Sequence, residues 1–353
     1  MASDKHGEVS FQDTKDMRVL VTGASGFVGK SLLVTLRDRS HEVIAGSRSR
    51  VEQPGIFYFR SPELGPEADW SESLADVDAV VHLAGLAHVT SERSDAETDN
   101  KYLRINAEGS RRLAEQCAAS GVKHFVFLSS CHAIAGESDD VLTDRTVPQP
   151  VTAYGRSKLA AEEATKSVLA DSDCAWTILR PPLVYGPGNK ANFGSLVKLV
   201  QTGLPLPLGL VRNRRSFIYV ENLVDLIVTC LANPKAFGKT FFPSDGEDVS
   251  TPELIRAIAR ASASVEEDGR LKTGNGSATR HTSHVTHHSL RLFPFPAAAL
   301  KAIGRLPGLG ALRKLTSSLY VDSEPIRRDL GWSPPFSMKE GLKWTLTETE
   351  KVD

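Results

Sequence analysis

Tyr154 and Lys158 stand four residues apart in AYGRSK (153–158). On a helix that spacing puts both side chains on one face. A phenol titrates near ~10, too high for a base at neutral pH; a neighbouring ammonium stabilises the phenolate and lowers that value. A tyrosine so placed exchanges a proton with a hydroxyl or carbonyl oxygen while hydride moves to or from its carbon. Such a reaction also needs a hydroxyl donor on the same oxygen. Ser129 and Ser130 close the apolar run HFVFLSS (124–130), and in open α/β sheets ligands bind at strand ends of that kind. The four-residue spacing alone is common on helices, so residues upstream must separate catalysis from a mere helix start.

Near the start of the chain, MRVLVT (17–22) runs into TGASGFVG (22–29), with glycines at 23, 26 and 29. Glycine permits a tight turn and lets a phosphate approach the backbone. The following helix offers unpaired N–H groups and its positive dipole end to a pyrophosphate. A glycine pattern by itself is weak; between a strand and an amphipathic helix it has the context that dinucleotide binding requires. NAD sites usually carry a carboxylate at the end of the second strand, for the ribose hydroxyls. Here that place reads Gly46-Ser47-Arg48-Ser49-Arg50. With no carboxylate, and Arg48 set to meet a 2′-phosphate, NADP(H) is the favoured cofactor. NAD(H), held through backbone contacts, is the alternative.

These groups need a scaffold that gathers strand ends at one edge. MRVLVT, EVIAG (42–46), DAVVHLAG (78–85) and HFVFLSS are short apolar runs, which read as buried strands. Helical periodicity over 100–120 separates the last two. Strands alternating with helices mean an α/β protein with a Rossmann, doubly wound parallel sheet. A dinucleotide-binding domain is expected over 17–185, ending in WTILRPPLVYGPG (176–188), one strand running into a Pro/Gly loop. Pro-rich turns beyond it (LPLPLG, FPFP, SPPF) fit a smaller C-terminal α/β substrate lobe over 186–346, parts of which return to the sheet. Residues 1–16 read as a disordered tail and 262–288 as a mobile loop. That loop carries His281, His284, His287 and His288 without cysteines or nearby acidic ligands, so no metal is expected.

Composition narrows the class. The 353 residues suit two unequal domains, and 41% hydrophobic with 24% charged is ordinary for a soluble protein. A formal net charge of -1 gives no field to collect nucleic acid. Cys117, Cys131, Cys174 and Cys230 lack CxxC spacing and read as reduced thiols of a cytoplasmic protein. No run reaches the ~18 apolar residues of a membrane span, and the N-terminus lacks the apolar core of a secretory signal. FPFPAAALKAIGRLPGLGALRKL (293–315) is apolar with Lys301, Arg305, Arg313 and Lys314, a composition able to lie on a bilayer. Packing onto the small lobe, with no firm membrane association, is the expectation.

Taken in order, TGASGFVG, HLAG (82–85), Asn106 in INAEG, LSS (128–130) and YGRSK (154–158) resemble the extended short-chain dehydrogenase/reductases. Within these they look like the NAD(P)-dependent epimerase/dehydratase family of sugar nucleotides, over essentially residues 17–346. The resemblance implies Tyr154, Lys158 and Ser130 as the catalytic group. It implies cofactor contacts at Gly23, Ser25, Gly26, Phe27, Val28 and Gly29, at Leu83, Ala84 and Gly85, and at Asn106, Ser129 and Pro181, besides Arg48, Tyr154 and Lys158. A UDP-sugar substrate is implied, meeting Ser130 and Tyr154, with Asn192 and Arg215 on the diphosphate and Leu206 and Leu208 along the uracil. A homodimer through helices near 100–120 and 153–170 is implied as well.

Dehydratases of this family carry an Asp-Glu pair directly after the catalytic threonine. Here Cys131 and His132 follow Ser130, so 4,6-dehydration is not expected; Cys131 reads as a buried filler and His132 as a packing histidine. The stretches 186–227 and 318–342 resemble most the subgroup that reduces UDP-4-dehydro-6-deoxy-N-acetylhexosamines at C4. Three features depart from the family pattern: a serine-to-glycine turn one residue longer than usual, Glu63-Leu64 where Asp-Leu is usual, and an inserted look to 262–288. The expected function is NAD(P)H-dependent C4 reduction of such a sugar for surface-polysaccharide synthesis. The close alternative is a UDP-hexose 4-epimerase using the same three residues. A non-catalytic dinucleotide sensor is the alternative from another class, and it would have no need to keep both Tyr154 and Lys158.

Overall fold

The computed structural model describes residues 16–87, 95–189, 192–272, 292–306 and 309–349. The tail read at 1–16 lies outside them except for Asp16, and so does the histidine run 281–288.

The chain opens with Arg18–Thr22 (β1), Phe27–Asp38 (α1), Glu42–Ser47 (β2), Ile56–Arg60 (β3) and Ala79–His82 (β4). Ala96–Tyr102 (α2) and Gly109–Ala119 (α3) follow, then His124–Leu128 (β5), Ala153–Leu169 (α4) and Ala175–Leu179 (β6). Next come Leu183–Tyr185 (β7), Asn192–Gln201 (α5), Phe217–Tyr219 (β8), Val220–Ala232 (α6) and Lys239–Phe241 (β9). The remainder holds Thr251–Lys272 (α7), Ala297–Ile303 (α8), Gly310–Thr316 (α9), Glu324–Leu330 (α10) and Met338–Thr349 (α11).

Among the described residues, seven strands form one parallel sheet in the order β3-β2-β1-β4-β5-β6-β9. Side-chain alternation explains why its strands read as unbroken apolar runs. Val19 and Val21 pack with Leu32, Leu33 and Leu36 of α1 and Leu223 and Ile227 of α6. Leu20 points to the other face, with Phe125, Phe127, Leu113 of α3 and Ala161 of α4. Both faces are covered, the condition for a parallel sheet, and each fully buried leucine adds ~2 kcal/mol. The strand order reverses between β1 and β4, which opens a crevice at their C-terminal ends. A second core, containing Phe193, Val197, Phe217, Ile258 and Leu342, sits beyond that edge.

Three elements differ from their sequence reading. The single strand read in WTILRPPLVYGPG is two: β6 lies in the main sheet, while β7 pairs with β8 in a separate two-stranded sheet. Pro181 and Pro182 between them have no N–H to continue a ladder. The helix read over 100–120 is α2 and α3 joined by a π-helical stretch, Leu103–Glu108, and such insertions re-aim side chains. The first part of the loop read over 262–288 is helix, because α7 continues through Lys272, and residues 273–288 lie outside the described residues. Leu254, Ile255, Ile258 and Val265 keep one apolar face on the second core, and the intervening Ala and Ser do not break a helix.

Candidate active site

The turn after β1 supplies the first half of the site. Gly23 has φ +71°, in the left-handed region, and a Cβ there would lie 2.7 Å from the Ala84 backbone nitrogen. The turn therefore touches the segment after β4 with no room for a side chain. α1 starts at Gly26 without a side-chain cap and without an acidic residue in its first turn. Its first N–H groups, at Phe27, Val28 and Gly29, are left for an anion. These features fit a dinucleotide pyrophosphate, the chemistry the glycine pattern requires. Ser25 accepts a hydrogen bond from the Ser47 hydroxyl (2.7 Å), which ties the turn to the end of β2. Arg48 stands just beyond β2 and is exposed, while Arg50 pairs with Glu52 at 3.0 Å. Below the turn, Thr22 and Ser110 hydroxyls bracket the His82 ring (2.7 and 3.0 Å). Burial pushes His82 down to about 3, so this tie between β1, β4 and α3 is neutral.

α4 supplies the second half. The Thr152 hydroxyl caps it, accepting from the Gly155 N–H at 3.0 Å. The helix thus begins one residue before Tyr154, and Tyr154 and Lys158 face the strand ends together. A Cβ at Gly155 would overlap the His132 carbonyl oxygen, so α4 lies directly on the turn that follows β5. Ser130 starts that turn, its hydroxyl accepting from the His132 N–H at 3.2 Å. The same hydroxyl stands near enough to the Tyr154 phenol to act on its ionisation. The structure thus brings Ser130 and Tyr154 together.

Lys158 is buried, donates to the Leu128 carbonyl at 2.8 Å and lies 4.7 Å over the Phe127 ring. Burial pulls its ammonium down to about 8, against the opposing pull of Glu162. The expected acidification of the phenol is not found. Burial pushes Tyr154 up to about 12, and the Ser130 hydroxyl only partly offsets it. The Tyr154 phenol is therefore protonated at neutral pH.

Asn106, carried by the π-helical stretch, locks this half to the first. Its side chain exchanges both hydrogen bonds with the Leu86 backbone (2.7 and 3.0 Å) and donates to the Ser157 hydroxyl at 2.9 Å. A Cβ at Gly85 would lie 3.0 Å from the Asn106 oxygen and 3.6 Å from the Lys158 nitrogen, so HLAG runs between the two. Ser129 faces away from Ser130's partner: its hydroxyl donates to Glu162. Arg180 closes a fork onto the same carboxylate (3.0 and 2.5 Å). Next to it, the carbonyl of buried Pro181 accepts from the Cys131 N–H at 3.0 Å. Sequence reading missed Glu162 and Arg180. The available signal was Glu162 itself, one further four-residue step along the face of Tyr154 and Lys158, where a carboxylate must be buried.

The proposed substrate contacts divide. Arg215 donates to the Lys314 and Ser317 carbonyls (2.7 and 3.3 Å), and its charge acts on Cys131 and His132 beside Ser130. Burial lowers the Arg215 pKa. Leu206 and Leu208 turn their side chains into the second core, and their carbonyls accept from the Phe293 and Val211 N–H groups, both at 3.1 Å. Asn192 opens α5, but its side chain lies outside the described residues. Cys131 is buried with its thiol pushed up to about 12, the behaviour of an inert filler. His132, pushed down to about 4 by burial, packs edge-on to Tyr154 at 6.5 Å. Among the described residues no group of three or more His, Cys, Asp or Glu could hold a metal ion, and no helix is long and apolar enough to cross a membrane.

A glycine cradle at the crevice of a parallel sheet, facing a paired serine and tyrosine with a buried lysine, is the framework of a dinucleotide-dependent enzyme. The chain belongs to the NAD dependent epimerase/dehydratase family, whose sequence pattern matches residues 19–242. It is similar to a UDP-glucose 4-epimerase of Vibrio cholerae, 36% identical over 335 residues, 93% of this chain and 94% of that protein. It is also similar to a 2-alkyl-3-oxoalkanoate reductase of Stenotrophomonas maltophilia, 28% identical over 93% of this chain and 98% of that one. Among solved structures, MoeE5 in complex with UDP-glucuronic acid and NAD is 25% identical, with a TM-score of 0.70, covering 96% of this chain and 100% of that chain.

Proposed function

We propose that this enzyme performs oxidoreduction at C4 of a UDP-sugar, and that its net reaction is reduction of a UDP-4-dehydro-6-deoxy-N-acetylhexosamine. The observation that carries the reading is the protonated phenol of Tyr154 beside the Ser130 hydroxyl, on the same helix face as buried Lys158, at the crevice. Gly23, Gly26, Gly29 and the N-terminus of α1 would hold the pyrophosphate of the dinucleotide. Arg48 would take a 2′-phosphate, favouring NADP(H), although NAD is the dinucleotide in the MoeE5 complex. The bound dinucleotide supplies the hydride for C4. Ser130 orients the sugar C4 oxygen through its hydroxyl. Tyr154 donates its proton to that oxygen as the hydride arrives. Lys158, cationic below about 8, stabilises the phenolate left behind. Arg215 would meet the diphosphate by breaking its bonds to the Lys314 and Ser317 carbonyls, and Asn192 would meet it from α5. UDP-sugar relatives such as MoeE5 support the substrate class.

Epimerisation of a UDP-hexose at C4 is the second reading, supported by the Vibrio cholerae relative. There Tyr154 would first accept and then return the proton, and the dinucleotide would stay bound throughout. The test is oxidation of NADPH and of NADH by the purified protein given the UDP-4-keto sugar, with Tyr154→Phe as control. Stoichiometric oxidation, reduced at least a hundredfold in the variant, is expected. No net oxidation, with interconversion of UDP-hexoses by the same protein, would select the epimerase. A preference for NADH would remove the role given to Arg48.

A further inference from the structure

We propose that the α8–α9 corner of the small lobe is a reversible docking surface for a bilayer leaflet with anionic headgroups. The observation is a coincidence of charge and exposed apolar area. Although the chain has a formal net charge of -1, residues 292–321 contain four Lys and Arg (Lys301, Arg305, Arg313 and Lys314) and no Asp or Glu. Within the described part of that stretch, Phe293 (42% exposed), Ile303 (38%), Leu306 (56%) and Leu309 (41%) turn outward. Backbone hydrogen bonds join Leu306 to Ile303, closing the turn after α8, and Leu309 to Leu306. Leu210, 46% exposed, adjoins Phe293 through the Gly209 N–H bonded to the Phe293 carbonyl.

Lys301 and Arg305 flank this turn and are exposed. They line a cavity of about 220 Å³ with Arg313, Ser317, Glu137 and Asp139. Arg313 is held by Glu137 at 2.7 Å, whereas Lys301 and Arg305 have no ion pair among the described residues. The stretch is anchored from beneath: Leu300 and Thr316 are buried, and Leu312 and Leu315 pack on the second core. Packing and exposure thus coexist, one side of the corner serving the lobe and the other facing out. Apolar side chains flanked by two cations match the two parts of an anionic leaflet, its acyl boundary and its headgroups. A nucleic acid would use the cations but not the leucines.

The corner is joined to the candidate site, since Arg215 donates to carbonyls at the end of α9. The test needs no substrate, so its result stands whether or not the C4 chemistry is right. The full chain is sedimented with phosphatidylcholine vesicles, with and without phosphatidylglycerol, at low and at physiological salt. Binding only to the anionic vesicles, weakened by salt, is expected. Lys301→Gln with Arg305→Gln should lower the partition constant ~25-fold, and Leu306→Ser should lower it without altering the salt dependence. Protein that stays in the supernatant with anionic vesicles at low salt overturns the proposal. Equal binding by the Lys301→Gln/Arg305→Gln protein does so too. A self-association of the wild type that Leu306→Ser abolishes would assign the face to a second copy and overturn it as well.

Discussion

At the residue scale, the buried couple Glu162–Arg180 bears on how Tyr154 and Lys158 are kept in working order. Glu162 is 1% and Arg180 6% exposed, and the pair binds α4 to the ends of β5 and β6 through Ser129 and the Arg180 backbone. Removing one partner of such a pair leaves a buried charge uncompensated, at about 3–5 kcal/mol. Glu162→Gln should therefore destabilise the fold by about that much. It should also move a titration, because Glu162 is the group that raises Lys158. Without it the ammonium titrates lower than about 8, so the alkaline fall in activity, which follows loss of that charge, shifts to lower pH. The Lys158 resonance, assigned by comparison with Lys158→Met and followed by nitrogen-detected NMR, would show the shift directly. A purely structural Glu162 would lower stability and leave that titration unmoved. Sequence singled out Tyr154, Lys158, Ser130 and the glycines as candidates, because their types and spacing suggest a chemistry. It did not show Arg180, whose meaning arises only when β6 lies beside β5.

At the element scale, the separation of α4 from the turn after β5 decides whether Ser130 and Tyr154 meet. Gly155 is the contact point, with the His132 carbonyl oxygen in the space of a Cβ and the Pro150 Cβ at 3.1 Å from it. Gly155→Ala raises helix propensity, yet it must push α4 outward against a rigid backbone. The expected outcome is a net loss of ~1–3 kcal/mol from overpacking, seen as a lower midpoint in urea. Turnover should fall further than stability explains, because the Tyr154 phenol moves away from the Ser130 hydroxyl. Dinucleotide affinity should change less, since the cradle lies on β1 and α1. Most elements were legible because both sheet faces are buried and the strands are apolar throughout. What stayed hidden depends on tertiary contact. Small residues carry α7 past residue 262 because Val265 reaches the second core, and the π-helical stretch exists where Asn106 can reach Leu86. Neither leaves a periodicity that local sequence could reveal.

At the scale of the whole molecule, three histidines held below their ordinary pKa, His82 and His124 buried and His132 half-buried, make stability fall with acid. Burial holds His82 at about 3 and His124 and His132 at about 4, against 6.5 for each unperturbed ring. Between pH 6.5 and about 4 the unfolded chain binds protons at these sites and the folded chain does not. Stability therefore rises with pH across that window and is lost as pH falls through it. The groups sit in different layers: His82 is tied to Thr22 and Ser110, His124 to Thr177 at 2.9 Å, and His132 in the turn beside Tyr154. Their protonation therefore opposes the sheet and the site together, and one cooperative loss is expected rather than a local one. Urea midpoints measured between pH 7 and pH 4.5 should drop steadily, well before carboxylates titrate. His124→Gln removes one such site, so its protein should start less stable yet lose less on acidification. A midpoint flat from pH 7 to pH 5 would mean that these rings take up protons within the fold, and the sheet face behind the cradle would then be wetter than its packing implies.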